Sequence, residues 1–125
     1  MSQSREDYIK FMYEEGHGLV VSNKQIAEGL NIAPPSVSEM MTKLEAEGLI
    51  TYRRYHGALL TESGIAMAEE LIRKHEIWEY FLEHKLKYTK EEVHELAEIL
   101  EHATPTDLAN RLAAYIDFPT VRKDV

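Results

Sequence analysis

Residues 22–61 read SNKQIAEGLNIAPPSVSEMMTKLEAEGLITYRRYHGALLT, and their pattern decides the architecture. Ser22-Asn23 can cap a short helix of about Lys24–Gly29, with Ile26, Ala27 and Leu30 inward. Leu30-Asn31-Ile32-Ala33 is a tight turn with apolar anchors. Pro34 and Pro35 then open a second helix, since a first-turn proline has no intrahelical N–H bond to lose. Val37, Met40, Met41 and Leu44 recur at i, i+3, i+4 and i+7 and form a buried stripe. Ser36, Ser38, Glu39, Thr42 and Lys43 stay outside. Two helices joined this way are a helix-turn-helix or an ordinary helical hairpin. The next residues favour the former. Glu47-Gly48-Leu49-Ile50 ends the helix, Thr51–Tyr55 is β-prone and basic, His56-Gly57 turns, and Ala58–Thr61 runs back. A β-hairpin with Arg53 and Arg54 near its tip, directly after a polar-faced helix, reads as a winged helix that binds DNA. Ser36, Ser38 and Glu39 can reach base edges, Pro35 lies beside them, Lys43 suits phosphate, and Arg53 and Arg54 suit phosphate or minor-groove contact.

Outward from this stretch, 125 residues suit one domain or two small halves. The absence of cysteine excludes disulfides and thiolate metal sites. No run of 18 apolar residues occurs and the N-terminus is no signal peptide, so a cytoplasmic protein with no membrane partner is expected. The net charge of −8 is uneven: −2 over residues 1–21, 0 over 22–61 and −6 over 62–125. The middle is least hostile to a polyanion, and the C-terminal half is where cations gather.

Ser4–Glu15 reads as a first helix capped by Ser4, with Asp7 in its first turn. Tyr8, Ile9, Phe11, Met12 and Tyr13 form its apolar surface. A long helix runs from Thr61 or Ser63 to about His84, with His75 and Glu79 on one side and Ala66, Leu71, Ile72, Trp78, Phe81 and Leu82 as its apolar residues. Thr89 and Glu92 form a capping box for a helix over Glu91–His102. There His94, Glu98, Glu101 and His102 fall on one arc, with Val93, Leu96, Ile99, Leu100 and Ala103 on a separate core face. Carboxylates and imidazoles this close attract a cation; the plainer alternative is a solvated helix face. A last helix, about Thr106–Ile116, presents Leu108, Leu112, Tyr115 and Ile116, read as a dimer interface rather than as intrachain packing.

EDYIKFMYE, SNKQIAEGLNIAPPSVSEMMTKLEAEGLI, YHGALLTESGIAMAEELIRKHEIWEYFL and HELAEILEHA, in this order, resemble the metal-dependent repressors of the diphtheria toxin (iron-dependent) repressor family, most nearly its manganese-responsive branch. The resemblance implies a mainly α homodimer: a winged helix-turn-helix with a small β-hairpin wing over 1–68, then a helical dimerisation and metal-binding domain over 69–125. Its partner would be a double-stranded palindromic operator, with no small organic substrate. By family position Asp7, Glu98, Glu101 and His102 would be the primary ligands, joined by His75, with Glu79 and His94 at an ancillary site. Iron-type relatives carry methionine at Asp7 and cysteine at Glu98, so the all-hard set here favours Mn²⁺, with Fe²⁺, Zn²⁺, Co²⁺ or Cd²⁺ as substitutes.

Three departures bear on the transfer. Lys10 stands where the two-domain manganese type has a metal-ligating glutamate. Longer members continue past Phe118-Pro119 into an SH3-like domain that contributes to the ancillary site. Glu39 replaces a glutamine of some relatives, so base preference is not transferred. The competing functions are a winged-helix regulator with no metal effector, and a metalloenzyme. No separate nucleophile or general base stands out, and a wing has no purpose in an enzyme, so no catalysis is expected.

Overall fold

The structure is a computed structural model that describes residues 4–118. Residues 119–125, where the longer relatives' extension would begin, lie outside the described residues. The elements run α1 (Arg5–Gly16), α2 (Asn23–Leu30), α3 (Pro34–Ala46), β1 (Ile50–Arg53), β2 (Gly57–Leu60), α4 (Glu62–His84), α5 (Lys90–Ala103) and α6 (Thr106–Tyr115). The chain forms two compact units, Met1–Glu70 and Leu71–Val125.

In the first unit, side-chain caps set the starts of α1 and α2. Ser4 and Asp7 close a reciprocal capping box on α1, and Ser22 and Gln25 close one on α2. Each satisfies two N–H groups that a helix start otherwise leaves unpaired. Asn31 ends α2 in the left-handed conformation, φ 56°, and Pro34 starts α3. Val37, Met41 and Leu44 are fully buried against Ile9, Met12, Ile26 and Ile50. Truncating any of the larger of these to alanine would cost about 2–5 kcal/mol. Met40, expected in the stripe, is only partly buried at its edge.

The wing turns one residue earlier than the sequence suggests. His56 N donates to Arg53 O at 3.0 Å, so Arg54, Tyr55 and His56 form the turn and Gly57 pairs with Arg53. The reason lies at Val21, whose N–H and C=O both bond to Ala58 at 2.9 Å. Gly57 must pass under that segment: its φ is +120°, and a Cβ there would lie 2.2 Å from Val21 O. Only glycine fits. Tyr55 takes the left-handed position of the turn, φ 73°.

The second unit corrects two assignments of helix faces. Ile99, read as core, is 67% exposed, whereas Glu101, read as surface, is 1% exposed. The ligand face and core face of α5 are therefore not separate. Ile116, read as part of an open stripe, is buried with Ile77, Ala109 and Ala113, and Leu112 packs partly against them. Leu108 and Tyr115 stay outward, Tyr115 at 79%. In the part of α4 that belongs to the first unit, Ala66 is exposed and Ala68 is buried in that unit's core; in the part that belongs to the second, Ile77 is fully buried.

Thr89 and Glu92 form the expected capping box on α5: Thr89 N donates to Glu92 Oε1 at 3.0 Å and Glu92 N donates to Thr89 Oγ1 at 3.3 Å. The Thr89 backbone N–H, then its hydroxyl, hold the Glu92 carboxyl below its ordinary 4.5. A folded-state pKa lowered in this way adds stability above the ordinary value and loses it as pH falls through the lowered one. Glu92→Gln is thus expected to melt below the wild type at neutral pH. Thermal melts on a descending pH series should show that gap closing through the carboxylate range; a gap independent of pH contradicts the cap.

Candidate metal centre and nucleic-acid interface

The outer face of α3 carries Pro35, Ser36, Ser38, Glu39 and Lys43, all exposed, and the wing carries Arg53 and Arg54, also exposed. The Arg54 guanidinium lies over the Tyr55 ring at 5.1 Å, a cation–π contact that keeps it at the turn. A polar network joins the elements. Asn23 Nδ2 donates to Tyr52 Oη at 2.9 Å and to Ser38 Oγ at 3.4 Å, tying the start of α2 to the strand and to α3. Tyr52 N donates to Glu45 Oε2 at 3.1 Å, anchoring β1 to the end of α3.

Between these parts opens a cleft of about 420 Å³ lined by Lys24, Asn23, Ser38, Tyr52, Arg54 and His56, among others. It combines two cations, several hydroxyls and the N-terminal end of α2, a set that matches phosphate. Of these lining residues, the sequence reading proposed Ser38 for base edges and Arg54 for phosphate, and gave no DNA-binding role to Lys24, Asn23, Tyr52 or His56. The available signal was the polar first turn of α2; their meeting with the wing depends on tertiary packing.

The six metal-competent side chains expected in the C-terminal half lie on two helices of the second unit. His75 and Glu79 come from α4; His94, Glu98, Glu101 and His102 come from α5. His75 is the hub, 8% exposed. Its Nδ1 lies 2.6 Å from Glu101 Oε1 and 3.7 Å from Glu98 Oε1, and its Nε2 lies 2.8 Å from Glu79 Oε2. His94 Nδ1 is 3.5 Å from Glu79 Oε2, its Nε2 is 3.7 Å from Glu98 Oε1, and its ring meets that of His75 edge-on at 5.1 Å. His102 Nε2 is 3.4 Å from Glu101 Oε2. Among the described residues, His75, Glu79 and His94 form one group and His75, Glu98 and Glu101 another, each with ligand atoms within 4.8 Å of one another.

The donor chemistry fits a divalent cation. Three carboxylates gathered around one imidazole repel each other unless a proton or a metal ion stands among them. A neutral imidazole donates from one nitrogen only, yet both nitrogens of His75 face carboxylate oxygens. His75 is common to both groups, so the predicted primary set and the predicted ancillary pair, Glu79 and His94, adjoin through it. Asp7 belongs to the first unit, where its Oδ2 accepts from Ser4 N at 3.2 Å in the α1 capping box.

A winged-helix DNA-binding unit followed by a helical unit that gathers metal donors defines a class of metal-responsive DNA-binding regulator. Residues 1–58 match the N-terminal DNA binding domain of iron dependent repressors, and residues 61–124 match their metal binding and dimerisation domain. The chain belongs to this family, as the resemblance read from the sequence implied. It is 33% identical over 119 residues, 94% of this chain and 95% of the relative, to an uncharacterised HTH-type transcriptional regulator of Methanocaldococcus jannaschii. It is 30% identical over 128 residues, 98% of this chain and 88% of the relative, to the HTH-type transcriptional regulator MntR of Lysinibacillus sphaericus. Among solved structures, it is similar to the manganese regulator SloR (42% identity, TM-score 0.78) and to ScaR with bound Zn²⁺ (44% identity, TM-score 0.83). These similarities cover 95% and 94% of this chain, which spans 56% and 55% of those two chains, just over half their length.

The phosphate assignment of the cleft makes a direct prediction. Lys24→Ala and Arg54→Ala should each weaken DNA binding by a similar factor on every sequence. Each should also flatten the slope of log K against log salt by roughly 0.9. Anisotropy titrations on two unrelated duplexes across a salt series measure both; a change in base preference would instead place these residues at base edges.

Proposed function

We propose that the protein is a cytoplasmic, manganese-dependent transcriptional repressor that binds a double-stranded palindromic operator as a homodimer. The observation that carries this reading is the gathering of oxygen and nitrogen donors around His75 in a chain whose N-terminal unit carries a recognition helix and a basic wing. A bound divalent ion would supply positive charge and coordination bonds where the carboxylates otherwise repel. Glu98, Glu101, His102 and His75 are the proposed donors from the second unit, and Asp7 is the proposed donor from α1. Glu79 and His94 form the ancillary pair.

The donor set supports manganese over softer-site metals. It contains carboxylates and imidazoles only, in a chain with no cysteine. Such a site also accepts Fe²⁺, Zn²⁺, Co²⁺ or Cd²⁺, and Zn²⁺ and Cd²⁺ are bound in structures of the neighbour ScaR. Lys10 is buried in α1 and offers an ammonium, which cannot ligate, so the set is proposed without a donor at that position.

The role of the ligands is mechanical rather than catalytic. Two recognition helices of a dimer must be about 34–36 Å apart, or a multiple of that, to enter successive major grooves. Asp7, drawn into the same coordination sphere as residues of the dimerisation unit, would restrict each reading head to that spacing. With the sphere empty, repulsion between Asp7 and the other carboxylates leaves only a minor competent population, which lowers apparent affinity in proportion. Ser36, Ser38 and Glu39, with Pro35 alongside, are the proposed base-edge residues; Lys43, Arg53 and Arg54 are the proposed phosphate contacts. Exposed Ile99, Leu108 and Tyr115 supply apolar surface for the partner subunit.

The test is fluorescence anisotropy on a duplex selected from random DNA in Mn²⁺, titrated with and without chelator at fixed salt. A coupling of about 1–3 kcal/mol gives roughly 5–150-fold tighter binding with Mn²⁺, and Asp7→Ala is expected to remove that difference. Equal binding in chelator would leave a DNA-binding protein with no metal effector and would sink the proposal.

A further inference from the structure

We propose that Trp78 and Thr104, which lie outside the donor set, are positioning residues for the metal centre; the inference rests on the metal reading above. Trp78 Nε1 donates to Thr104 Oγ1 at 2.8 Å, and that hydroxyl donates in turn to Leu100 O at 2.6 Å. The Thr104 hydroxyl has one proton and gives it to Leu100, so its orientation is fixed and its lone pair is aimed at the indole. Thr104 is 5% exposed, so water does not replace either bond cheaply.

The place of this bond gives it its role. Trp78 stands three residues after His75 on α4, and Thr104 three residues after Glu101. Each partner of the Trp78–Thr104 bond therefore stands about one helical turn along its own chain segment from a member of the His75–Glu101 contact. Thr104 is also the C-cap of α5, extended at ψ 113°, with Pro105 next in the chain. Proline biases the residue before it away from helix, so the chain leaves α5 at a fixed point. The last turn of α5, which carries Glu101 and His102, is thus held by the Thr104 hydroxyl to its own Leu100 carbonyl and to Trp78 of α4. Without that tie, Glu101 and His102 lie on a fraying helix end, and their carboxylate and imidazole lose the register that lets them meet His75. The indole is itself steadied edge-on against Phe81, with ring centroids 5.8 Å apart.

The experiment is a Mn²⁺ titration of the full chain followed by electron paramagnetic resonance, with a thermal melt of each variant in chelator. Outer partners of metal ligands typically contribute about 10–100-fold in affinity. Thr104→Val, which keeps the shape and removes the hydroxyl, is expected to raise the Mn²⁺ Kd by about 10-fold or more. Thr104→Ser, which keeps the hydroxyl, is expected to restore most of the affinity. Trp78→Phe is expected to behave like Thr104→Val and carries the test if the valine variant does not fold. Wild-type Mn²⁺ affinity in the hydroxyl-free or indole-free variant, even with a lower melting temperature, would show a purely structural bond and overturn the inference. So would a serine variant as weak as the valine one. A wild type that binds no Mn²⁺ would be a different result, the failure of the metal reading itself.

Discussion

A carboxylate buried inside a small helical unit is the constraint on which the second half of this protein depends. Glu101 has almost no solvent contact, and its neighbours Glu79 and Glu98 add further negative charge. An ionised carboxylate taken out of water costs several kcal/mol unless it is paired. His75 meets it at hydrogen-bond distance and offers its second nitrogen to Glu79. A helical unit arranged this way is poor at being merely stable, because apolar residues would fill the same space at lower cost. A divalent cation among these carboxylates would relieve their mutual repulsion, and the proposed sensing role rests on that.

The first unit solves a different problem with different means. Apolar side chains from α1, α2, α3 and the wing close one core, so the recognition helix presents only its polar face. The starts of α1 and α2 are fixed by serine caps and that of α3 by Pro34, and the wing is fixed by the pairing of Val21 with Ala58 over Gly57. Asn23 then joins α2, α3 and β1 by two side-chain bonds. These cross-links hold Ser38 of α3 and Tyr52 of β1 in a common frame, so the helix face proposed for bases and the wing proposed for phosphate are held in one register.

The helix-turn-helix was legible because local signals agreed: the Ser22 cap, the Asn31 turn, Pro34 and the stripe Val37–Met41–Leu44. The wing was legible as a hairpin, but its turn was misplaced by one residue, since the close approach of Val21 to Gly57 is a tertiary fact. Face assignments on α5 failed where charge pairing outweighed hydrophobicity. Periodicity placed Ile99 inside and Glu101 outside; pairing with His75, 26 residues away, reversed Glu101. The same separation hid Trp78 and Thr104, since nothing local to either residue announces the other. The acidic and histidine side chains of α4 and α5 were legible as metal-competent types, while the gathering of Glu79, Glu98 and Glu101 about His75 was visible only once α4 and α5 were packed.

Anomalous diffraction at the manganese edge from crystals grown with Mn²⁺ tests the central claim most directly, namely that the donors gathered on α4 and α5 hold a metal ion. The predicted result is a peak within coordination distance of Glu98, Glu101 and His102. Anomalous density confined to exposed carboxylates elsewhere, with Glu101 still hydrogen-bonded to His75 and no peak beside it, would contradict the claim and leave the cluster as a buried ion pair.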